Sequence, residues 1–432
     1  MTRSARNPLA LLLAALLCAG GSWLYVHRVL VKYQIADAAA HGRTRGNLSD
    51  LYPRWFGARE LLLHGRDPYS PEVTRDIQEG YFGRLDPAHP LDQSDQQKFI
   101  YPVYVAFVLA PTIHQSFPVV RQEALWVLLA ITIASVLLWL RVLRWEQPCL
   151  AQCAIVILTI GSLPVVQGVK LQQLTLLVAA LVALTIWLLA TGRPIAAGIA
   201  LAIATIKPQL VEVLLFWLVL WTLCAWRRRY RWLVSFTLTL ATLFAASEFC
   251  LPRWLPRFLN AVHDYRSYVD AVPIFYKLIP AHWGVLSMLL VAAATAYAGW
   301  KTRGADAQSP GFASTAALML AVTLVLIPTY ALYNQVLLLP ALLWLIRDSC
   351  DLWRGGALRC VLLLLVVVLL LWPWVTCASL AAASFVLPHT TVEKYWAVPF
   401  WTALLLPVGV AALVLLAHCS APFPTRKSAG AS

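Results

Sequence analysis

The chain has 432 residues, of which 60% are hydrophobic and 12% are charged, with a net charge of +14 and a mean hydropathy of +0.70. Soluble domains carry about 25% charged residues, so this composition excludes a chain of soluble domains and indicates an all-α polytopic membrane protein. No nucleic-acid-binding motif accompanies the positive charge, which a cationic inner membrane face explains.

The first thirty residues are predicted to form an uncleaved signal-anchor helix. Arg3 and Arg6 precede an apolar run that starts at Pro8 and continues through residues 23–26. Such a run is long enough to cross a bilayer. We therefore assign residues 1–30 to a transmembrane helix rather than to a cleaved signal peptide.

Residues 31–121 are polar and are predicted to form a long extracytoplasmic loop with interfacial segments. Apolar positions recur at helical spacing over residues 52–63, which predicts an amphipathic helix lying along the membrane. Gly65 ends this helix, and residues 67–69 (Asp-Pro-Tyr) predict a turn. The apolar stretch 100–114 is too short for a full span, so we expect a re-entrant or interfacial segment there.

Residues 122–418 are predicted to form a multi-helix transmembrane domain, followed by a cytoplasmic tail, 419–432. With the signal-anchor helix, apolar runs predict about twelve spans. They lie near 8–30, 122–140, 149–164, 171–190, 194–206, 209–226, 231–251, 283–300, 312–328, 331–346, 358–380 and 398–418.

The distribution of Lys and Arg predicts the orientation of these spans. Sixteen of the 34 basic residues fall in alternate short segments, including both termini and the cluster Arg227-Arg228-Arg229. The alternation holds across all twelve spans. We expect a multi-pass protein of the plasma (inner) membrane with both termini in the cytoplasm.

Lys207 is the first candidate for chemistry, because it lies between two apolar runs and is followed by Pro208. An ionisable residue beside a span is a functional candidate, and an ammonium here could bind a phosphate. The alternatives are a lysine that snorkels from a helix end and a structural ion pair with Glu212.

Two polar clusters are predicted on the same side of the membrane as Lys207. Each could be a sugar or phosphate site. The alternative for the first cluster is a helix end that its polar residues cap or solvate, and the alternative for the tyrosines of the second is an interfacial aromatic belt. They comprise Gln167, Lys170, Gln172 and Gln173 in one junction, and Tyr330, Tyr333 and Asn334 in the other.

Asp50 is the candidate catalytic residue of the first loop. It directly precedes the predicted helix, so its carboxylate could be a general base for an acceptor hydroxyl. It could equally be an N-cap. The residues alone leave both interpretations open.

Several short motifs follow one another along residues 45–345. They are Asp50, Gly65-Arg66-Asp67-Pro68-Tyr69, Ile100-Tyr101-Pro102, a Gln-containing junction, Ile206-Lys207-Pro208-Gln209, a basic loop at Arg227-Arg228-Arg229, and Pro328 through Tyr333-Asn334. Together they resemble glycosyltransferase family 87 of the GT-C superfamily. The sequence departs from that pattern at Asn334, where members often carry Asp or His, and at Val103, where many have proline.

The resemblance implies a GT-C-type bundle and an inverting transfer of a mannose- or pentose-type sugar from a polyprenyl-phosphate donor. It implies Asp50 as the base and a donor phosphate near Lys207, which Arg54 or Arg59 could share. The acceptor would be a hydroxyl of a glycolipid or glycan outside the cytoplasm. The transfer would be metal-independent or weakly metal-dependent, and neither a resident metal site nor a cofactor is expected. Candidate sugar or acceptor contacts are Tyr52, Tyr69, Tyr101, Gln172, Gln173, Gln209, Tyr330, Tyr333 and Asn334.

Two other functions remain open from the sequence. A lipid or sugar-lipid flippase would fit about twelve spans, but transporters often contain inverted repeats, and the two halves show no convincing similarity. A non-catalytic assembly factor for an envelope polymer is the third possibility. The large loops and the candidate carboxylate on one predicted side favour the transferase.

Overall fold

The computed structural model describes residues 8–42, 49–83, 96–269, 272–328 and 331–420. The structure is all-helical, with 80% helix and no strand in these ranges. The helices of the first half are α1 (Pro8–Tyr25), α2 (Val31–Ala40), α3 (Leu51–His64), α4 (Pro71–Phe82), α5 (Val105–Leu109), α6 (Phe117–Val142), α7 (Cys149–Ile160), α8 (Leu163–Lys170), α9 (Thr175–Ala190), α10 (Pro194–Ala204) and α11 (Glu212–Leu223).

The second half begins with α12, whose first turns are basic, and ends at Ser420, the last described residue. Its helices are α12 (Trp226–Cys250), α13 (Trp254–Tyr268), α14 (Ile274–Leu278), α15 (Ala281–Thr302), α16 (Pro310–Leu326), α17 (Leu339–Arg347), α18 (Ser349–Arg354), α19 (Ala357–Ala383), α20 (His389–Val392) and α21 (Leu405–Ser420). A seven-residue 3₁₀ segment, Leu332–Leu338, leads directly into α17.

Six helical segments of the described chain are long and apolar enough to cross a membrane. They are Pro8–Ala40, Phe117–Val142, Trp226–Cys250, Ala281–Thr302, Ala357–Ala383 and His389–Cys419. The pair of α7 and α8, which is bent by 58° at the junction, is either one broken span, which would be a seventh, or a re-entrant loop.

The other predicted spans are shorter helices, which explains the difference from the expected twelve. Apolar runs at α9, α10, α11, α16 and Leu332–Arg347 fall below the length of a full span. Ten residues of α9 and fourteen of α16 are buried. Helices inside a bundle need not reach both surfaces, because protein rather than lipid covers the polar groups at their ends. Hydrophobic run length could not distinguish these helices from complete spans.

The N-terminal helix is longer than the predicted residues 1–30. A π-helical turn, Val26–Leu30, joins α1 to α2, so the helical segment reaches Ala40. Close helix packing holds this segment in place. A Cβ on Gly161, at the α7–α8 bend, would lie 2.3 Å from the Ala19 Cβ of α1, so only glycine allows this approach.

The first loop contains the predicted helix over residues 52–63, observed as α3. Gly65 ends it in the left-handed conformation, with φ 64°, and the Tyr69 amide donates to Asp67 Oδ1 at 2.9 Å in the expected turn. Eight residues of α3 are buried, however. The helix therefore packs on several faces, and an amphipathic arrangement along the membrane stays a prediction. Residues 100–114 form only α5 and a 3₁₀ turn.

Polar contacts tie the chain together at opposite ends of α12, a helix about 37 Å long at 1.5 Å per residue. Near its start, Arg229 Nη1 donates to the carbonyls of Trp221, at 2.6 Å, and Arg303, at 2.8 Å. Beyond its other end, Arg257 Nη1 on α13 donates to Asp67 Oδ2 at 2.5 Å. The second large loop is thus attached to the first.

Candidate active site

The polar residues of the bundle collect where helices are interrupted. The breaks between α8 and α9, between α10 and α11, and before α17 bring Gln173, Lys207 and Asn334 together with Asp50 at the start of α3. Non-helical backbone is tolerated at membrane depth where protein buries it or where it lines a cavity. The short interior helices therefore create a polar centre that continuous spans would not.

The side-chain amide of Gln173 connects the candidate base with the candidate phosphate ligand. Its Nε2 donates to Asp50 Oδ2, and its Oε1 accepts a 2.8 Å hydrogen bond from Lys207 Nζ. Gln173 is 2% exposed, so its orientation is restricted by packing. The carboxylate and the ammonium are thus fixed relative to each other through one neutral side chain.

Lys207 is buried, at 7% exposure, and its hydrogen-bond partners are neutral side chains. Besides Gln173, its Nζ donates to Thr175 Oγ1 at 2.8 Å and lies 5.2 Å from the ring centroid of Tyr333. Glu212 is exposed, and among the described residues no ion pair joins Lys207 to a carboxylate. A buried ammonium without a direct counter-ion is costly, which makes this position suited to an anionic ligand.

Arg54 adds a second cation to the same centre. Its guanidinium lies 4.9 Å from the Tyr101 ring centroid, while Lys207 Nζ lies 5.5 Å from that ring. Arg54 Nη1 donates to the Asp50 carbonyl at 2.5 Å, but its buried Nε has no hydrogen-bond partner. A buried donor without a partner requires an explanation, and a site for a bound ligand is one. Tyr69 supports the shared ring, because its hydroxyl donates to the Tyr101 carbonyl at 2.5 Å.

The Asp50 carboxylate does not cap α3, although Asp50 occupies the N-cap position. Its backbone is in the helical region, and its side chain makes no capping bond. Ser49 Oγ instead accepts the Leu51 amide at 3.1 Å. The Asp50 amide donates to the Leu171 carbonyl at 3.1 Å, so the α8–α9 junction holds both the backbone and the side chain of Asp50.

Some predicted site residues lie away from this centre. Tyr52 packs among aromatic rings, with Phe117 at 4.9 Å. Arg59 lies 5.5 Å from the Trp55 ring centroid; five residues separate it from Arg54, or about 140° around a helix. Gln209 is exposed, and Tyr330 lies outside the described residues.

Thr175 is a member of the centre that the sequence analysis did not identify. Its hydroxyl donates to Asn334 Oδ1 at 3.1 Å and accepts from Lys207, so it connects two junctions that are far apart in the chain. A threonine that opens an apolar helix usually has no role beyond that helix. The one feature of the sequence that could have indicated a role for Thr175 in the site is its position two residues after Gln173.

Chemically, the centre combines one carboxylate with a buried cation, Lys207, and a half-buried cation, Arg54. Within the described part of the chain, Gln173 is the donor bound to Asp50 Oδ2, and no donor is bound to Oδ1. A carboxylate oxygen can accept a proton from a hydroxyl, and nearby cations can stabilise a departing phosphate.

Comparison with known proteins identifies the family of the chain. The family model of glycosyltransferase family 87 matches residues 99–328, which is 230 of the 432 residues. No curated protein and no solved structure matches the chain significantly. The matched range contains Tyr101, Gln173 and Lys207, whereas Asp50 and Asn334 lie outside it. Together with its apolar helices, the match shows that the chain belongs to glycosyltransferase family 87, a GT-C-like family of membrane glycosyltransferases.

Proposed function

We propose that this glycosyltransferase transfers a mannose- or pentose-type sugar from a polyprenyl-phosphate donor to a hydroxyl of a glycolipid or glycan acceptor. The observation that carries the proposal is the sequence of contacts from Asp50 through Gln173 to Lys207. It joins a base for the acceptor to a cation for the donor phosphate. Membrane lipids supply the surroundings of both substrates.

In the proposed reaction, Asp50 takes the proton of the acceptor hydroxyl as the acceptor oxygen bonds to the anomeric carbon of the sugar. The bond from that carbon to the phosphate oxygen breaks at the same time, and its electron pair leaves with the polyprenyl phosphate. Attack opposite the phosphate inverts the anomeric configuration. Lys207 and Arg54 bind the phosphate, whose negative charge increases as the bond breaks.

Tyr101, Tyr333 and Asn334 are proposed to contact the sugar or acceptor. The two tyrosine rings flank Lys207, and Asn334 is linked to it through Thr175. Tyr69 positions Tyr101, because its hydroxyl donates a hydrogen bond to the Tyr101 carbonyl. Tyr52, Arg59, Gln209 and Tyr330 stay predictions from the sequence.

A lipid-linked donor is supported by an apolar cavity beside the centre. The cavity has a volume of about 290 Å³ and shares the segment Leu332–Leu338 with Tyr333 and Asn334. Its walls include Leu342, Leu371 and Trp374. We propose that the isoprenoid units next to the phosphate occupy it, since burial of apolar groups there is favourable.

We also propose that the centre faces outward from the inner membrane, with both termini in the cytoplasm. The support is the charge alternation together with the contacts at either end of α12. Arg229 meets Arg303, both assigned inside, while Arg257 meets Asp67, both assigned outside.

Turnover of a defined donor tests the function. Purified full-length protein in proteoliposomes is given radiolabelled polyprenyl-phosphate mannose, or the arabinofuranose equivalent, with a lipid extract of its own source. The proposal predicts labelled lipid or glycan together with released polyprenyl phosphate. Label transferred only from a nucleotide sugar, or a labelled donor moved across the bilayer intact, would contradict it.

A further inference from the structure

A second cationic site adjoins the α8–α9 junction, where the Asp50 amide donates to the Leu171 carbonyl. It is a pocket of about 790 Å³ between α1–α2, the start of α6 and the end of α8. We call it the lateral pocket. Its polar lining consists of His27, Gln34, Arg121, Gln122, Lys170 and Gln172.

The cations of the lateral pocket are not neutralised by ion pairs. Lys170 Nζ donates to the neutral Gln34 Oε1, and no ion pair in the described residues involves Lys170 or Arg121. The Asp50 carboxylate attracts the Lys170 ammonium, and Arg121 repels it more weakly. An anion that contacts both cations would reduce the repulsion that remains between them.

Gln172 provides independent evidence that the lateral pocket takes a polar ligand. Its side chain is 3% exposed, yet its Oε1 has no hydrogen-bond partner. Its φ of 46° is unusual for a residue other than glycine. Such strain and an unpartnered buried oxygen are both found at binding sites. The Gln172 Oε1 atom could accept a hydrogen bond from a ligand hydroxyl.

The walls of the lateral pocket indicate a membrane lipid. Trp23, Ile35 and Leu125 line it, and they lie in or beside two of the helices that are long enough to cross the membrane. A molecule that places apolar chains against these residues and an anionic group against Lys170 and Arg121 matches both surfaces. A soluble anion would contact the two cations but would leave the apolar wall without a partner.

The position of the lateral pocket also separates it from the proposed donor site. Gln172 lines the pocket, whereas its neighbour Gln173 binds Asp50 and Lys207. The two consecutive side chains therefore belong to different sites. We propose that the lateral pocket binds the phosphate of an anionic lipid acceptor, with a headgroup hydroxyl directed towards Asp50. This identification of the acceptor rests on the proposed function.

Lipid binding tests the lateral pocket without requiring sugar transfer. Full-length protein in detergent is mixed with equal amounts of phosphatidylglycerol and phosphatidylcholine, and the retained lipids are counted by native mass spectrometry. Wild-type protein is expected to retain phosphatidylglycerol preferentially. Arg121→Gln/Lys170→Gln should lower this retention about tenfold, as expected for lost charge-assisted hydrogen bonds.

The matched control is Arg75→Gln/Lys394→Gln, which removes the same charge from exposed positions outside the pocket. Equal retention by the control double variant and the pocket double variant would overturn the proposal. Displacement of phosphatidylglycerol by the same concentration of inorganic phosphate would also overturn it, because the lipid chains would then contribute nothing. If the double variant unfolds, the Arg121→Gln single variant replaces it in the same measurement, since Arg121 is exposed.

The lipid-binding result and the transfer result can fail separately. Selective loss of phosphatidylglycerol in the pocket variant, with no transfer by wild-type protein, would support the pocket and remove the proposed function. Transfer by wild-type protein, with unchanged lipid retention in the pocket variant, would remove the pocket and keep the function. A raised KM for the acceptor in Arg121→Gln, with the donor KM unchanged, would support both.

Discussion

Lys207 Nζ donates a 2.8 Å hydrogen bond to Gln173 Oε1, and the same amide holds Asp50 through its nitrogen. A glutamine can do this because it has an acceptor and a donor on one rigid group. The two charged residues therefore remain apart without forming an ion pair, which would leave neither free for a substrate.

Replacing Gln173 should damage both halves of the proposed reaction. Gln173→Leu removes one partner each from Asp50 and Lys207, and buried polar groups that lose a partner cost about 1–3 kcal/mol each. We expect kcat/KM to fall by about 10- to 100-fold. Steady-state kinetics of Gln173→Leu, Lys207→Ala and the double variant measure the coupling. Strictly additive losses would contradict a connected unit.

Lys207→Ala is expected to weaken donor binding while the protein still folds. Loss of a charge-assisted hydrogen bond corresponds to about 1.5–3 kcal/mol, or about 10- to 150-fold in the donor KM. Lys207→Arg should recover only part of the affinity, because the planar guanidinium has a different geometry.

The exposed Glu212 provides the control for Lys207. Since no ion pair links the two residues, Glu212→Ala should behave as wild type in expression and donor KM. If Lys207→Ala abolished expression and Lys207→Ala/Glu212→Ala restored it, the lysine would have a structural role instead.

Filling the apolar cavity should discriminate between donors by chain length. Leu342 lines the cavity, and Leu342→Trp adds bulk where the first isoprenoid units are proposed to lie. We expect a raised KM for a long polyprenyl-phosphate sugar and a smaller effect on a short-chain analogue. Leu358→Trp is the matched control, since Leu358 is 62% exposed. An equal effect of Leu342→Trp on both donors would place the lipid elsewhere.

Membrane sidedness can be measured with two exposed positions, Arg228 near the start of α12 and His263 on α13, the helix that follows it. In a cysteine-free background, a membrane-impermeant maleimide should label His263→Cys in intact cells and should label Arg228→Cys only after permeabilisation. The reverse pattern would invert the proposed orientation, and equal labelling of both would exclude the arrangement altogether.

Much of the local structure was predictable because local signals determine it. The apolar spacing over residues 52–63 predicted α3, Gly65 marked its end, and the Asp67 turn formed as expected. The number of full spans was not predictable in the same way. A run such as α10 is equally apolar whether it crosses a bilayer or ends inside a bundle, and only its packing between α9 and α12 distinguishes the two.

The candidate site was predicted as separate pieces rather than as one centre. A polar residue at the edge of an apolar run is unusual, and this signal singles out Asp50, Gln173, Lys207 and Asn334 one at a time. Their contacts span large separations, 123 residues between Asp50 and Gln173, and no spacing rule relates positions so far apart. Thr175 was missed for the converse reason, since it lies within an apolar helix and acts only through tertiary contacts.

The catalytic assignment of Asp50 is the central claim, and Asp50→Asn is its most direct test. Asn preserves the size of the side chain and an oxygen that can accept from Gln173, but it cannot take a proton from a hydroxyl. A general base contributes typically about 10²–10⁴-fold, so kcat in the purified transfer assay should fall by that factor. Donor binding and thermal stability should stay close to wild type. An Asp50→Asn protein that transfers sugar at the wild-type rate would contradict the account.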